Sequence, residues 1–98
     1  MFYLYIIYSE RADKYYVGHT NNVERRVEEH NSNPRMTFTH KFRPWFLMAS
    51  FAISENRGDA VKVEKYIKRQ KSRRLIERLI DIDFIPIGNL RSLVRVLP

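Results

Sequence analysis

Several side chains in this sequence are of types that together can hydrolyse a phosphodiester bond. Tyr5 and Tyr16 carry phenols, and a phenol that has lost its proton can act as a base. Arg26 carries a guanidinium, which can hold a phosphate through two parallel hydrogen bonds. Glu64 carries a carboxylate, and Mg²⁺ often takes only one or two protein carboxylates while keeping its waters. No serine, cysteine or threonine triad and no Gly-rich nucleotide loop suggests a competing chemistry.

The tyrosines also have a purely structural interpretation. Tyr3 and Tyr5 fall on one face of the first predicted strand, and Tyr16 falls on the second. If these strands form a hairpin, Tyr5 and Tyr16 can meet on a shared face, but aromatic cross-strand pairs stabilise hairpins without any chemistry. Residue periodicity alone favours the packing interpretation.

Glu64 lies between Ala60 and Ile67 on a helical wheel, close to an apolar stripe. A carboxylate in that position needs a partner, because burying an unpaired charge is costly. A divalent metal ion is one candidate partner, and an ion pair with Lys68 one turn on, or with Lys65, is the other. The sequence leaves both open.

The cationic residues are individually weak signals. Arg26 sits near the inward edge of a predicted helix, but a lone arginine beside Arg25 is usually solvated. The histidines His19, His30 and His40 have no metal-site spacing, which argues against zinc. His30 is more typical of a cation at a helix C-terminus, and His40 of a loop residue.

The composition is that of a basic protein, which favours a polyanionic partner. The net charge is +7 and the pI about 10.0, which suits nucleic acid. A hydrophobic fraction of 44% can build one small core. The chain has no cysteine, no signal-peptide pattern at its start and no apolar run of the roughly 20 residues that a membrane span needs. We expect a soluble, cytoplasmic protein without membrane contact.

Two strands and a helix are predicted in the first third of the chain. Phe2–Tyr8 is aromatic and β-branched throughout, as in a central strand buried on both faces. Tyr15–Val17 is a shorter strand, and Gly18 after it permits either a positive φ or a close backbone approach. Asn21 is the predicted helix cap, with Glu24 as its reciprocal partner. This helix should end at about residue 30 or 31.

The remaining pattern predicts a loop, a third strand and two helices. "NSNPRMTFTHKFRP" is typical of a loop and "WFLMASFAI" of a strand. A helix through "VKVEKYIKRQK" has an inward stripe, and Ser72 can cap a last helix with four inward residues. These inward positions are Ala60, Val63 and Ile67, and then Leu75, Ile76, Leu79 and Ile80. The order β-β-α-β-α-α indicates an α+β fold.

The C-terminal segment, residues 82–98, is separated from a predicted domain of residues 1–81. Most of it, residues 83–98 ("DFIPIGNLRSLVRVLP"), is basic and apolar and has no clear period. It is compatible with an edge strand, with a short helix around Leu90, Leu93 and Val94, or with a mobile tail.

The same residues resemble the GIY-YIG nuclease domain, in its branch of small single-domain proteins. The first signature corresponds to Tyr3–Tyr5, which continues as "YII", and the second to Tyr16–Gly18. Arg26 follows that glycine by eight residues and His30 by four more, and Glu64 lies in "VEKYIKRQ", where the family places a glutamate. The resemblance covers about residues 2–80. It implies a three-stranded antiparallel sheet flanked by helices.

The resemblance also implies hydrolysis of a DNA strand with a single divalent ion, Mg²⁺ or Mn²⁺. Tyr16 would be the general base or proton relay, and Tyr5 would position it. Arg26 would hold the scissile phosphate and Glu64 the metal ion, while His30 would orient the substrate or assist proton transfer.

Ionisation of a tyrosine at neutral pH requires nearby positive charge, because a free phenol has a pKa near 10. Lys14, His19 and Arg26 are the candidate sources. The residues expected to contact nucleic acid are Lys14, His19, Arg25, His40 and Lys68.

This chain departs from the family pattern at three points. Tyr3 replaces the leading glycine of the first signature, and His19 stands where some relatives carry lysine. An asparagine expected soon after the glutamate helix is absent until Asn89. We also expect no separate DNA-binding domain. We therefore expect binding mainly through phosphates, with a steep salt dependence and modest sequence preference.

The leading hypothesis is a divalent-metal-dependent endonuclease acting on DNA, including branched or damaged forms, in repair or recombination. The alternative is a nucleic-acid-binding module that has the fold without turnover. A third hypothesis is a basic structural partner in a larger complex.

Overall fold

The computed structural model describes residues 1–96, which form an α+β structure around one antiparallel sheet. Its strands are β1 (Phe2–Ser9), β2 (Lys14–Thr20), β3 (Phe46–Ser54) and β4 (Val94–Arg95). Its helices are α1 (Val23–Ser32), α2 (Thr37–His40), α3 (Arg57–Arg69) and α4 (Arg73–Ile80), with a 3₁₀ turn at Gly88–Leu90. The sheet order is β2-β1-β3-β4. In residues 1–96, no helix combines the length and apolar character needed to cross a bilayer.

The central position predicted for the first strand is confirmed. β1 lies between β2 and β3, and Leu4, Tyr5, Ile6 and Ile7 are at most 1% exposed. Because successive side chains of a strand point to opposite faces, Leu4 and Ile6 enter one core and Tyr5 and Ile7 another. β1 is therefore covered on both sides.

The two cores differ in size and composition. The larger core contains mostly aliphatic residues, and Val63, Ile67 and Leu79 of the predicted α3 and α4 stripes pack into it; Ala60 is also buried. The smaller core is aromatic, with Tyr5, Ile7 and Trp45 buried beneath Tyr16, Phe42 and the α1 residues Val23 and Val27. We call the first the aliphatic core and the second the aromatic core.

The predicted cap of α1 is wrong by one residue. Asn22, not Asn21, caps the helix: its side chain accepts a hydrogen bond from the Arg25 backbone N–H at 3.0 Å. The Thr20 hydroxyl accepts from the Asn22 N–H at 3.1 Å and holds Asn22 in extended conformation. The shift places Arg25 at the position where a capping box needs Glu or Gln, so Glu24 cannot be the reciprocal partner. The predicted Ser72 cap is confirmed, since its hydroxyl accepts from the Leu75 N–H at 3.1 Å.

The sheet has four strands instead of three, and the loop after α1 contains the short helix α2. The fourth strand comes from the C-terminal segment, which forms both the 3₁₀ turn and the edge strand that its sequence allowed. Leu90 and Leu93 are buried in the aliphatic core, and the Val96 N–H donates to the Ser50 carbonyl at 2.9 Å. Of the predicted tail, residues 97 and 98 lie outside the described residues. A two-residue strand is too short to show a period of two, and this is why periodicity missed it.

Candidate active site

The two tyrosines meet on the α1 face of the sheet, as the hairpin hypothesis requires. Tyr5 pairs with Gly18 across the strands, and Ile7 pairs with Tyr16, so the two tyrosines are diagonal neighbours. Their ring centres lie 6.4 Å apart. Tyr5 is only 1% exposed, whereas Tyr16 is half-buried. The more accessible phenol is therefore the one on β2.

Gly18 serves the close approach rather than a positive φ. A Cβ atom at this position would lie 2.6 Å from Cζ of Tyr5, and real Cβ contacts are essentially never so short. The Tyr5 ring thus lies directly against the β2 backbone. Any larger residue at position 18 would push the buried phenol away from its partners.

His30 fixes the hydroxyl of Tyr5. Its Nε2 lies 2.7 Å from the Tyr5 oxygen, and its Nδ1 lies 3.0 Å from Oγ1 of Thr39. The Thr39 hydroxyl donates to the Met36 carbonyl, so it accepts from an Nδ1–H of His30. Nε2 is then the bare nitrogen and accepts the proton of Tyr5. In this chain of hydrogen bonds the Tyr5 hydroxyl is neutral and donates a hydrogen bond to His30.

The charge states agree with that arrangement. His30 is fully buried, and burial, reinforced by the charge of Arg26, lowers its pKa to about 4. Burial also raises the pKa of Tyr5 well above its ordinary value, against the opposing effect of Arg26. The interpretation of His30 as a helix C-terminal cation is therefore wrong: it lies in the last turn of α1, but it is enclosed and neutral.

Arg26 adjoins the Tyr5 hydroxyl at the edge of this cluster. Its Nη1 donates to Oε1 of Glu29 at 3.2 Å, and its side chain is 36% exposed. Burial lowers the pKa of Arg26, but the adjacent Tyr5 hydroxyl and Glu29 carboxylate more than offset this, so the pKa is raised. Arg26 is a permanent cation that reaches both the buried phenol and solvent.

Glu64 lies on α3 and accepts hydrogen bonds at both oxygens. Oε2 accepts from Nζ of Lys68 at 2.9 Å, and Oε1 accepts from Nδ1 of His19 at 2.7 Å. Burial raises the pKa of Glu64, but these two partners outweigh it and the pKa is lowered. Of the partners that the sequence left open for Glu64, the structure shows Lys68. His19 is a second partner, which sequence analysis did not name.

An ionised carboxylate that is 19% exposed has the right donor chemistry for a hydrated Mg²⁺. Among residues 1–96, no three acidic, histidine or cysteine side chains gather around a common point. Glu64 would be a protein ligand of such an ion, which would compete with the nitrogen partners of its oxygens.

The residues predicted to supply positive charge near the tyrosines or to contact nucleic acid occupy different places. Nζ of Lys68 lies 5.2 Å from the centre of the Tyr16 ring, and so joins Glu64 to the tyrosine cluster. Nζ of Lys14 lies over the Phe42 ring at 4.5 Å, and His19 is engaged with Glu64. Arg25 and His40 have partners of their own. Arg25 donates to the Asn21 side chain, and Nδ1 of His40 accepts a hydrogen bond from Nη1 of Arg43.

Two contributors were missed by sequence analysis. Thr39 is 2% exposed and orients His30, and Phe38 lies with its ring centre 6.2 Å from that of Tyr16. Both come from α2, inside the segment predicted as loop. Its asparagine, proline and serine content concealed a four-residue helix that has no side-chain cap. No local signal in the sequence identifies either residue.

Comparison with known proteins supports a common origin for this arrangement. The family model of the GIY-YIG catalytic domain matches residues 1–77. A UPF0213 protein of Limosilactobacillus reuteri is 33% identical over 82 residues, which are 82% of this chain and 83% of that one. UPF0213 protein HQ_3675A of Haloquadratum walsbyi is 36% identical over 85 residues, 83% and 92% of the two chains. UPF0213 protein BH0048 of Halalkalibacterium halodurans is 30% identical over 91 residues, 93% and 94% of the two chains. On the family match and on these relatives, the chain belongs to the GIY-YIG catalytic domain family.

Proposed function

We propose that this protein is an endonuclease that hydrolyses DNA phosphodiester bonds with one divalent metal ion, Mg²⁺ or Mn²⁺. The observation that carries the proposal is the arrangement around Tyr16. A half-buried phenol has a buried neutral phenol on one side and a Lys68–Glu64 ion pair on the other. Membership of a nuclease family and the net charge of +7 favour a nucleic-acid substrate.

Each side chain has a distinct role in the proposed reaction. Tyr16, once ionised to the phenolate beside Nζ of Lys68, accepts the proton of the attacking water, because the hydroxyl of Tyr5 is already committed to His30. Arg26 binds the non-bridging oxygens of the phosphate and offsets the charge that grows on them. Glu64 would hold the divalent ion, which when bound supplies Lewis-acid polarisation of the phosphate. Tyr5 and His30 hold the aromatic core in a fixed position relative to Tyr16.

A second function, nucleic-acid binding without turnover, is favoured by one observation. Both oxygens of Glu64 already accept hydrogen bonds from nitrogen atoms, those of Lys68 and His19. A metal ion must compete with these partners before Glu64 can coordinate it. If the ion pairs prevail at physiological metal concentrations, the protein binds DNA and does not cut it.

Nicking of supercoiled plasmid by the purified protein separates the two functions. We expect nicking with Mg²⁺ or Mn²⁺ and none with EDTA. Tyr16→Phe should reduce the rate by at least about 10²-fold, the usual contribution of a positioned general base, and Glu64→Gln should remove the response to metal. The matched control is Tyr15→Phe, because Tyr15 precedes Tyr16 but faces the aliphatic core, with Arg73 over its ring.

Nicking that survives both Tyr16→Phe and Glu64→Gln would contradict the proposed site. Plasmid binding without nicking by the wild-type protein, in either metal, would instead establish the binding module. An effect of Tyr15→Phe equal to that of Tyr16→Phe would mean that strand β2, and not the Tyr16 hydroxyl, is what the substitutions disturb.

A further inference from the structure

Phe38 is an aromatic side chain that the proposed reaction does not use. It is 62% exposed, although its ring centre lies 5.9 Å from that of Phe42 and 6.2 Å from that of Tyr16. Phe38 thus lies between the half-buried rings of Phe42 and Tyr16, in a row of three rings that ends at the proposed base. Most of Phe38 is open to solvent beside the site.

A groove of about 480 Å³ begins at this row of rings. Its lining includes Phe38 and Tyr16 together with four cationic side chains and one acidic one. The cations are Lys14, Lys68, Lys71 and Arg73, and the acid is Asp13, which is paired with Arg73. A larger cavity of about 750 Å³ lies elsewhere, beside β3 and the start of α1, and does not include the tyrosine cluster.

An aromatic surface within a basic groove matches the chemistry of a nucleotide. The cations suit the phosphates, while the exposed phenyl suits the flat face of a base, which stacks on aromatic side chains whatever its sequence. In a paired duplex the faces of the bases are covered by their neighbours. Only an unpaired base, or one turned out of the stack, can present its face to Phe38.

We infer that Phe38 is the stacking platform for an unpaired nucleobase next to the scissile phosphate. This inference rests on the proposed nucleic-acid substrate and narrows it. The preferred DNA contains at least one unpaired nucleotide at the cleavage site, as in a bulge, flap, gap or single strand. A base on Phe38 lies one ring away from Tyr16, so its adjoining phosphate falls at the proposed base.

The test compares two DNAs of equal length, one a perfect duplex and the other with a single unpaired nucleotide, by fluorescence anisotropy in EDTA. The wild-type protein should bind the second about 5- to 150-fold more tightly, the range that one base–aromatic stack provides. Phe38→Ala should remove this preference and leave binding to the perfect duplex unchanged. Phe38→Trp should keep the preference, because an indole also stacks.

Phe46→Ala is the matched control, since Phe46 is also an exposed phenylalanine, 48% exposed, but belongs to β3. It should retain the wild-type preference. A photo-cross-link from 5-iodouracil at the unpaired position should map to Phe38 by mass spectrometry. The melting temperature of each variant verifies that the fold is intact.

Equal affinity of the wild-type protein for both DNAs, or a preference that survives Phe38→Ala, would overturn the inference. Because binding is measured in EDTA, its outcome does not depend on turnover. A protein that nicks plasmid but binds both DNAs alike leaves the nuclease proposal standing and removes the stacking site. A protein that prefers the unpaired DNA through Phe38 but does not nick plasmid keeps the stacking site and removes the nuclease proposal.

Discussion

The two faces of β1 perform different tasks with nearly the same degree of burial. On one face, Leu4 and Ile6 join an aliphatic core against α3 and α4. On the other, Tyr5 and Ile7 lie under α1, where Tyr5 bonds to a buried histidine. Both sets are at most 1% exposed, so burial alone does not distinguish them. The difference lies in whether the buried atoms need specific partners.

The aliphatic core is stabilised by buried apolar area and close packing, whereas the aromatic core also depends on the directions of its hydrogen bonds. A buried polar atom that lacks a partner is costly, and within residues 1–96 every buried side-chain nitrogen and oxygen has one. The Tyr5–His30–Thr39 chain meets this requirement with a single set of donors and acceptors. The face that carries the site is therefore the one whose geometry is defined by hydrogen bonds. Substitutions on the two faces should have separable effects.

The largest expected effect is on stability, from truncation in the aliphatic core. Phe51 is fully buried there, and Phe51→Ala should lower the free energy of unfolding by about 3–5 kcal/mol, because it removes transfer free energy and leaves a cavity. Arg26→Ala on the α1 face should lower it by less, about 1 kcal/mol, since its ion pair with Glu29 is about one-third exposed and its contact with the Tyr5 hydroxyl lies at the edge of the cluster. Urea unfolding measures both values.

The same two variants should rank in the opposite order by DNA nicking. Arg26→Ala should bind DNA more weakly and cut it more slowly while its circular dichroism stays that of the wild type. A loss of folded signal in Arg26→Ala would show that the site and the scaffold are not separable, and would break the distinction between the faces.

A second effect, of nearly the same size, is the response of stability to pH. The pKa of His30 is lowered to about 4 in the folded protein, from an ordinary value near 6.5. Between those values the unfolded chain binds a proton that the folded chain does not, so stability falls as the pH falls from about 6.5 to 4. The full difference corresponds to about 3 kcal/mol. Urea unfolding across this pH range measures it.

Substitution of His30 tests the assignment. His30→Gln should be less stable at neutral pH but should show a flatter dependence between pH 6.5 and pH 4. His40→Gln is the matched control, because that histidine is exposed at the end of α2. A wild-type slope in His30→Gln would mean that carboxylates such as Glu64, and not His30, govern the acid response.

The sequence predicted the parts of the molecule that repeat a pattern. The central strand, the inward stripes of the later helices and the Ser72 cap follow from periods of 2 and 3.6 and from local hydrogen bonding. The proximity of Tyr5 and Tyr16 followed from the predicted hairpin, but their catalytic roles followed only from the family resemblance, because aromatic packing explains the same placement. β4 could not be predicted because it depends on a tertiary contact, the edge of β3. The cap at Asn22 depends on a local hydrogen bond from its N–H to the Thr20 hydroxyl two residues earlier, which cap preferences alone do not distinguish from a cap at Asn21.

Glu64 and His30 show the same limit at the level of the site. A helical wheel places Glu64 near an apolar stripe, but only the folded chain brings His19 of β2 against it. For His30, position in the last turn suggested a cation, and burial under the segment that contains Thr39 reverses this. Local rules describe a side chain by its neighbours along the chain. Charge states in a site depend on residues that are distant in sequence but close in the folded chain.

The smallest effect, and the sharpest test of the directional face, comes from Thr39. Thr39→Val keeps the volume but removes the oxygen that accepts from Nδ1 of His30, and leaving this buried donor unpaired should cost about 1–3 kcal/mol. Thr39→Ser keeps the oxygen and should restore most of the loss. The position of the imidazole proton, read from ¹⁵N chemical shifts, should move from Nδ1 in Thr39→Val but not in Thr39→Ser. If the proton moves to Nε2, Tyr5 loses its acceptor, and nicking should slow even though Thr39 touches no substrate. An unchanged tautomer in Thr39→Val would show that Tyr5 alone orients His30, and that the polar chain ends one residue earlier than the geometry indicates.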